Sequence, residues 1–298
     1  MILPTLRQMQ FLAALAEEGS FSRAADACNV TQPTLSAAIK EVEALMGVQL
    51  VEREARGARL TRAGDAAVAR ARRILAEAED MVAAARQAGA PLSGPFRLGA
   101  IPTIAPFVLP NALRRLRSIY PELKLYLRED VTTRLLDALR ARSLDAAIIG
   151  LPWDAPGIET TPLVDDEFLF IAQSDHELLK KSTLETSDLE AEDVLLLEDG
   201  HCLRDHALSV CRLPRTRESA DVSATSLSTL VHMVAGGIGV SLLPKLAADD
   251  SATISADVGL RPFSPPVIGR SIGLAWRAGT PREDEARMIG DVVRAALT

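Results

Sequence analysis

Cys202 and Cys211 stand nine positions apart in the run Glu198-Asp199-Gly200-His201-Cys202-Leu203-Arg204-Asp205-His206-Ala207-Leu208-Ser209-Val210-Cys211, in a chain with three cysteines. On a helix rising about 1.5 Å per residue the two would be offset by roughly 13.5 Å. A disulfide needs Cα atoms about 4.4 to 6.8 Å apart. A bond between them therefore requires the segment to unwind and repack, which is the chemistry of a redox switch. Cys202 follows Gly200-His201 and precedes Leu203-Arg204, where a helix is expected to begin. A thiol at a helix N-terminus beside arginine or histidine has a lowered pKa, and its thiolate attacks peroxide. The sulfenic acid so formed condenses with a second thiol, for which Cys211 is the natural candidate. Two other readings stand beside this one. Cysteine is among the residue types most often buried and inert, as Cys28 reads between Ala24 and Val30. A zinc site from His201, Cys202, His206 and Cys211 has four ligands but lacks the paired Cys-x2-4-Cys spacing of structural zinc.

The rest of the chain must position these thiols. With 298 residues, 48% of them hydrophobic and 24% charged, it reads as a folded protein of about two domains. No apolar run approaches the roughly 18 to 20 residues of a membrane span, and the first residues lack the pattern of a signal peptide. Three cysteines do not make a disulfide framework. The reading is cytoplasmic, with no membrane partner. The net charge of −7 argues against a surface that grips nucleic acid throughout. Residues 1–90 carry eleven Lys and Arg against eleven Asp and Glu, so the acidic excess lies downstream and any DNA binding is local to the N-terminus.

There, Phe11, Leu12, Leu15 and Ala16 recur at helical spacing before Gly19. A short helix over 22–28 takes Ser22 as its expected N-cap. A third opens at Thr31-Gln32-Pro33-Thr34 and turns Leu35, Ile39, Val42 and Met46 inward. Gln32, Thr34, Ser36, Ala37 and Lys40 then face out, short and hydrogen-bonding as a major groove requires. Residues 48–64 read as two strands around a basic turn holding Arg53, Arg56, Arg59 and Arg62, able to touch phosphates. The alternative is a small helical bundle with a solvated polar face. Beyond it, Val68, Ala71, Leu75, Ala78, Val82 and Ala85 form a heptad seam on a long helix that predicts a dimer, or else packing on its own domain. Residues 89–95, rich in Gly and Pro, form a hinge.

From Phe96 onward short apolar strands alternate with amphipathic helices. That predicts a mainly parallel sheet with helices on both faces, with ligands beyond the carboxyl ends of its strands, as at Ala100-Ile101-Pro102-Thr103-Ile104. There is no Walker motif and no dinucleotide fingerprint, and no cofactor is expected.

Phe21-Ser22-Arg23-Ala24-Ala25-Asp26 with Thr31-Gln32-Pro33-Thr34-Leu35-Ser36 resembles the winged helix-turn-helix of the LysR-type transcriptional regulators. The run Leu195 to Asp205 with Cys211, Ala224 to Leu230 and Ile101-Pro102-Thr103 closely resembles the peroxide-sensing activators of that family, and the likeness covers nearly the whole chain. The resemblance implies an α/β protein. Its winged helix-turn-helix spans residues 1–60, its linker and dimerisation helix 61–88 and its hinge 89–95. A two-lobed effector domain of periplasmic-binding-protein type follows at 96–298, with lobe I over about 96–165 and 270–298 and lobe II over about 166–269.

It also makes Cys202 the peroxidatic and Cys211 the resolving cysteine, with Thr103, Thr132, His201, Arg204 and Asp205 lining a peroxide pocket. Ser22, Thr31, Gln32, Pro33, Thr34, Ser36, Lys40, Arg53 and Arg56 would face double-stranded DNA at pseudo-palindromic sites. The expected partners are a second copy through the linker helix, a tetramer beyond that, RNA polymerase, and hydrogen peroxide as effector. A family member that reads a small metabolite in the inter-lobe cleft is the alternative regulator, and a thiol peroxidase the alternative enzyme.

Overall fold

The computed structural model describes residues 3–54, 57–86, 91–198, 203–204, 207–208, 224–250 and 253–297. The chain divides into two compact units, Met1–Ala90 with Ala141–Ser143, and Pro91–Arg140 with Leu144–Thr298.

In the first unit, helices α1 (Leu6–Glu18), α2 (Phe21–Ala27) and α3 (Gln32–Met46) precede strands β1 (Val51–Glu54) and β2 (Gly57–Leu60) and the long helix α4 (Arg62–Arg86). Sequence chemistry sets each boundary. Thr5 and Gln8 close a capping box on α1, and Gly19 ends it in the left-handed conformation at φ 60°. α2 begins one residue earlier than its sequence suggests. Ser20, not Ser22, holds the N-cap position, and it makes no side-chain cap bond. Thr31 caps α3 by accepting from the Thr34 N–H, with proline in the first turn, and Gly47 stops it at φ 66°. Leu35, Ile39 and Val42 enter a core with Phe11, Leu12, Leu15, Ala24 and Ala25. Met46 does not follow them inward; it is 45% exposed at the last residue of the helix. β1 and β2 pair antiparallel as the wing, and the Ala58 N–H donates to Gly19 O at 2.9 Å, which ties the wing to the end of α1.

The seam expected on α4 needs correction. Val68 lies in the core of its own unit and Ala71 is buried as well, so neither is free to meet a partner, because α1 packs along α4. Leu75 and Ala78 are half-buried. Among the described residues the large apolar side chains exposed on α4 are Ile74, Met81 and Val82, the last a position of the expected seam, and Ile74, Ala78 and Met81 share one face beside it.

The second unit is built on β3 (Pro95–Ala100), β4 (Lys124–Glu129), β5 (Ala146–Leu151), β6 (Ile158–Gln173), β7 (Ser241–Pro244), β8 (Val258–Pro262) and β9 (Gly269–Arg277). The helices over them are α5 (Ala105–Ile119), α6 (Thr132–Arg140), α7 (Leu227–Ala235), the single turn α8 (Lys245–Ala248) and α9 (Glu283–Leu297). The strand order is β4-β3-β5-β9-β6-β7, with β8 on β6. Among the described strands the β3–β4 and β3–β5 pairs are parallel; β9 pairs antiparallel with both β5 and β6, and β6 antiparallel with β7 and β8. The expected mainly parallel sheet is therefore confined to the first lobe. The reason is β6, whose 16 residues serve two lobes: its first part pairs with β9 and its second with β7 and β8. The apolar run over 194–197 makes isolated parallel bridges, from Val194 to Val240 and from Leu197 to Ala224.

Each lobe has its own core, one gathered around Phe96, Ile148 and Trp276, the other around Phe168, Phe170 and Leu243. A buried ionic cluster fastens the start of the unit. Arg282 meets Asp145 at 3.0 Å and Glu285 at 2.5 Å, and donates to Pro95 O at 2.9 Å, while Glu285 accepts the Leu92 N–H at 2.8 Å. Burial pushes the Asp145 carboxyl above its usual range, against the pull of Arg282 and the Arg97 N–H.

Candidate functional site

Two surfaces carry the chemistry. In the first unit, Ser22, Thr31, Gln32, Pro33, Thr34 and Lys40 are exposed and Ser36 is half-buried, on α2 and the start of α3. The Thr31 and Thr34 hydroxyls bond each other at 2.8 Å, which leaves Gln32 as the long, unbonded amide of the first turn among the described residues. Arg53 lies on β1 and Arg56 outside the described residues; Arg59, exposed on β2, faces Glu52 across the hairpin. A helix that presents a side-chain amide at its first turn and a lysine two turns on suits a base edge and a phosphate respectively. Lys40→Ala is expected to weaken binding to all duplexes alike and lower the slope of log affinity against log salt by about 0.9. Gln32→Ala should instead narrow the gap between specific and non-specific DNA, by about 1–3 kcal/mol. Salt titrations of both variants on the two kinds of duplex separate the roles.

In the second unit, β3 and β4 run parallel and in register, Ala100 opposite Glu129, so the residues that follow them emerge at one edge of the sheet. Thr103 follows β3 and Thr132 opens α6 after β4; both are buried, at 2% and 0% exposure. Thr103 is held by Arg270 of β9, which donates to its hydroxyl at 2.7 Å and to its carbonyl at 3.1 Å. Arg270 is held in turn by Asp166 of β6, at 3.0 Å, with both side chains buried. The other Asp166 oxygen accepts the Leu246 N–H at 3.0 Å. Because Arg270 occupies a lone pair of the Thr103 oxygen, the hydroxyl proton remains to be donated. The Thr132 hydroxyl has no hydrogen-bond partner among the described residues, an uncommon state for a buried donor. Just before it, burial raises the Asp130 carboxyl, but hydrogen bonds from Arg128 and the Val131 N–H and the charges of Arg128 and Arg134 outweigh it and hold the group below its usual range.

In the second lobe, Arg204 donates to Leu197 O at 3.2 Å, and Leu203 and Ala207 are buried in the core. Cys202, Cys211, His201, Asp205 and His206 lie outside the described residues, so the thiol and zinc readings fall there too. Cys28 is half-buried against the first unit's core, and Arg7 donates to its carbonyl at 2.8 Å. The Asp166–Arg270 pair is absent from the sequence reading. Its signal was a charged residue inside each of two apolar strands, Asp166 before Phe168-Leu169-Phe170 and Arg270 before Ile272, where a buried charge demands a partner.

A winged helix-turn-helix and a two-lobed α/β unit with a polar site after β3 and β4 define a ligand- or redox-responsive transcription regulator. Residues 6–65 match the model of the bacterial regulatory helix-turn-helix proteins of the LysR family, and residues 89–298 the LysR substrate binding domain. The chain belongs to the LysR family.

Within it, the chain is similar to OxyR. It is 38% identical over 292 residues to the DNA-binding transcriptional dual regulator OxyR of Escherichia coli K12, covering 98% of this chain and 95% of the relative. A cysteine-to-aspartate variant of full-length OxyR from Pseudomonas aeruginosa superimposes with a TM-score of 0.80 at 36% identity, covering 99% of this chain and 96% of the other. A cysteine-to-serine variant of Corynebacterium glutamicum OxyR with hydrogen peroxide bound gives 0.69 at 35% identity, covering 99% and 93%.

Proposed function

We propose that this protein is a DNA-binding transcription regulator that senses hydrogen peroxide by forming a reversible Cys202–Cys211 disulfide. The Cys202 thiolate attacks one peroxide oxygen, so that an S–O bond forms as the O–O bond breaks, and the departing hydroxide takes a proton to become water. Cys211 then attacks the oxidised sulfur, the S–O bond breaks, a second water leaves, and the disulfide remains. Thr103 and Thr132, with His201, Arg204 and Asp205, form the pocket and stabilise charge on the leaving oxygen. The observation that carries this reading is the Thr103 hydroxyl, buried, fixed by Arg270 and left with a proton to give. It suits a small, neutral, hydrogen-bonding oxidant far better than a bulky metabolite. The peroxide held by the Corynebacterium protein supports the same chemistry here.

The N-terminal unit binds pseudo-palindromic promoter DNA as a homodimer joined through α4, with dimers pairing into tetramers and RNA polymerase as a partner. The Ile74, Ala78 and Met81 stripe is the surface for that pairing. The protein works in the cytoplasm, and as a regulator rather than a peroxidase.

Thr103→Val tests the pocket. Valine keeps the shape and removes the hydroxyl, so oxidation of Cys202 by peroxide is expected to slow about 10²-fold. DNA binding by the reduced protein should not change, and Thr103→Ser should restore the rate. A stopped-flow rate in Thr103→Val equal to that of the parent protein would remove Thr103 from the chemistry.

A further inference from the structure

β5, β6 and β9 pass one another where the two lobes of the second unit join, and beside them lies a pocket of about 830 Å³. None of Thr103, Thr132 and Arg204, the described residues of the peroxide pocket, lines it. Its walls combine the half-buried Trp153 and the apolar Leu151 and Ile268 with the carboxylates of Asp154, Asp165 and Glu167. Asp154 and Asp165 are exposed, and neither makes an ion pair or hydrogen bond among the described residues; Glu167 has Lys245 at 3.8 Å. Among the described residues the one basic residue in the lining is Arg270, whose side chain is wholly buried and committed to Asp166 and Thr103. The pocket therefore presents a net negative wall beside an aromatic ring, with apolar surface between.

Each part of that arrangement selects a ligand class. An indole ring attracts an ammonium group, most strongly where water is excluded, and carboxylates add charge and hydrogen-bond acceptors. Apolar walls suit methylene chains. An anion would face the carboxylates of Asp154, Asp165 and Glu167, with the Arg270 guanidinium already committed. A hard divalent metal needs several oxygens converging at about 2.0–2.6 Å, and no group of three His, Cys, Asp or Glu side chains is so arranged among the described residues. We propose that this pocket binds a small aliphatic ammonium compound of the diamine class. One ammonium lies on Trp153 between Asp154 and Asp165, and the chain runs over Leu151 and Ile268 toward Glu167. An occupant there lies against the Arg270–Asp166 pair that fixes Thr103.

The experiment titrates the reduced, full-length protein with 1,4-diaminobutane, and in parallel with magnesium chloride and sodium succinate, by calorimetry and tryptophan emission. The chain has two tryptophans, and Trp276 is buried with its N–H donated to Glu159, so a change in emission on binding reports Trp153. The diamine is expected to bind at one saturable site and alter emission, and Trp153→Phe should abolish that optical change. Asp154→Asn with Asp165→Asn, isosteric at exposed positions, should weaken binding roughly tenfold or more by removing two unpartnered charges. No saturable binding, equal affinity in the double variant, or magnesium binding as tightly at the same site would each overturn the proposal.

Discussion

Cys202→Ser is expected to abolish every peroxide-dependent change in the DNA footprint while leaving the reduced-state footprint intact. The loss should be complete, because a serine hydroxyl is not ionised at neutral pH and has no accessible higher oxidation state. Cys211→Ser should behave differently. Cys202 would still be oxidised at an undiminished rate, but the sulfenic acid would persist without its intramolecular partner and remain open to trapping by dimedone. The contrast distinguishes a two-thiol switch from a protein in which either cysteine merely packs. A footprint that still responds in Cys202→Ser would place the sensor elsewhere in the chain.

Arg270→Met is expected to have the second largest effect, and on two quantities at once. Removing one partner from a buried pair leaves Asp166 charged in an apolar setting, at a cost of about 3–5 kcal/mol to the stability of the second unit. It also frees Thr103, whose hydroxyl and carbonyl both rest on that guanidinium, so the rate of Cys202 oxidation should fall about 10²–10³-fold. The two effects come apart in the double variant Arg270→Met with Asp166→Leu. An apolar pair of similar volume should recover most of the stability, yet the rate should stay low because nothing orients Thr103. Recovery of both would mean that Arg270 serves the fold alone. Unfolding midpoints in denaturant and stopped-flow thiol oxidation on the same preparations give both answers.

How far the sequence reached depended on whether the evidence was local. α3 was legible because its cap, its first-turn proline, its terminal glycine and its apolar spacing fall within a single run of residues, all of which the structure uses. Met46 escaped the pattern because periodicity says which face a residue occupies, not whether anything packs there. Val68 and Ala71 fit a heptad equally well whether α4 meets a second copy or α1 of its own unit, and the sequence holds no term that separates the two. In β6 the polar half, Ile158 to Glu167, hid the strand; only the apolar half from Phe168 to Ala172 carried a readable signal. Asp166 and Arg270 lie 104 residues apart, so their pairing is a tertiary fact with no local mark beyond two charges in strands. Thr103 and Thr132 became visible through family likeness, whereas their shared sheet edge is a consequence of the parallel β3–β4 pairing.

The central claim is settled by following all three thiols through a brief pulse of hydrogen peroxide, below one equivalent, on the reduced protein, with alkylation and peptide mass spectrometry as the readout. The account predicts a Cys202–Cys211 disulfide within one chain, preceded by a Cys202 sulfenic acid, with Cys28 still reduced. Oxidation at Cys28 first, or a Cys202–Cys211 pair left as free thiols while the DNA footprint changes, would contradict it.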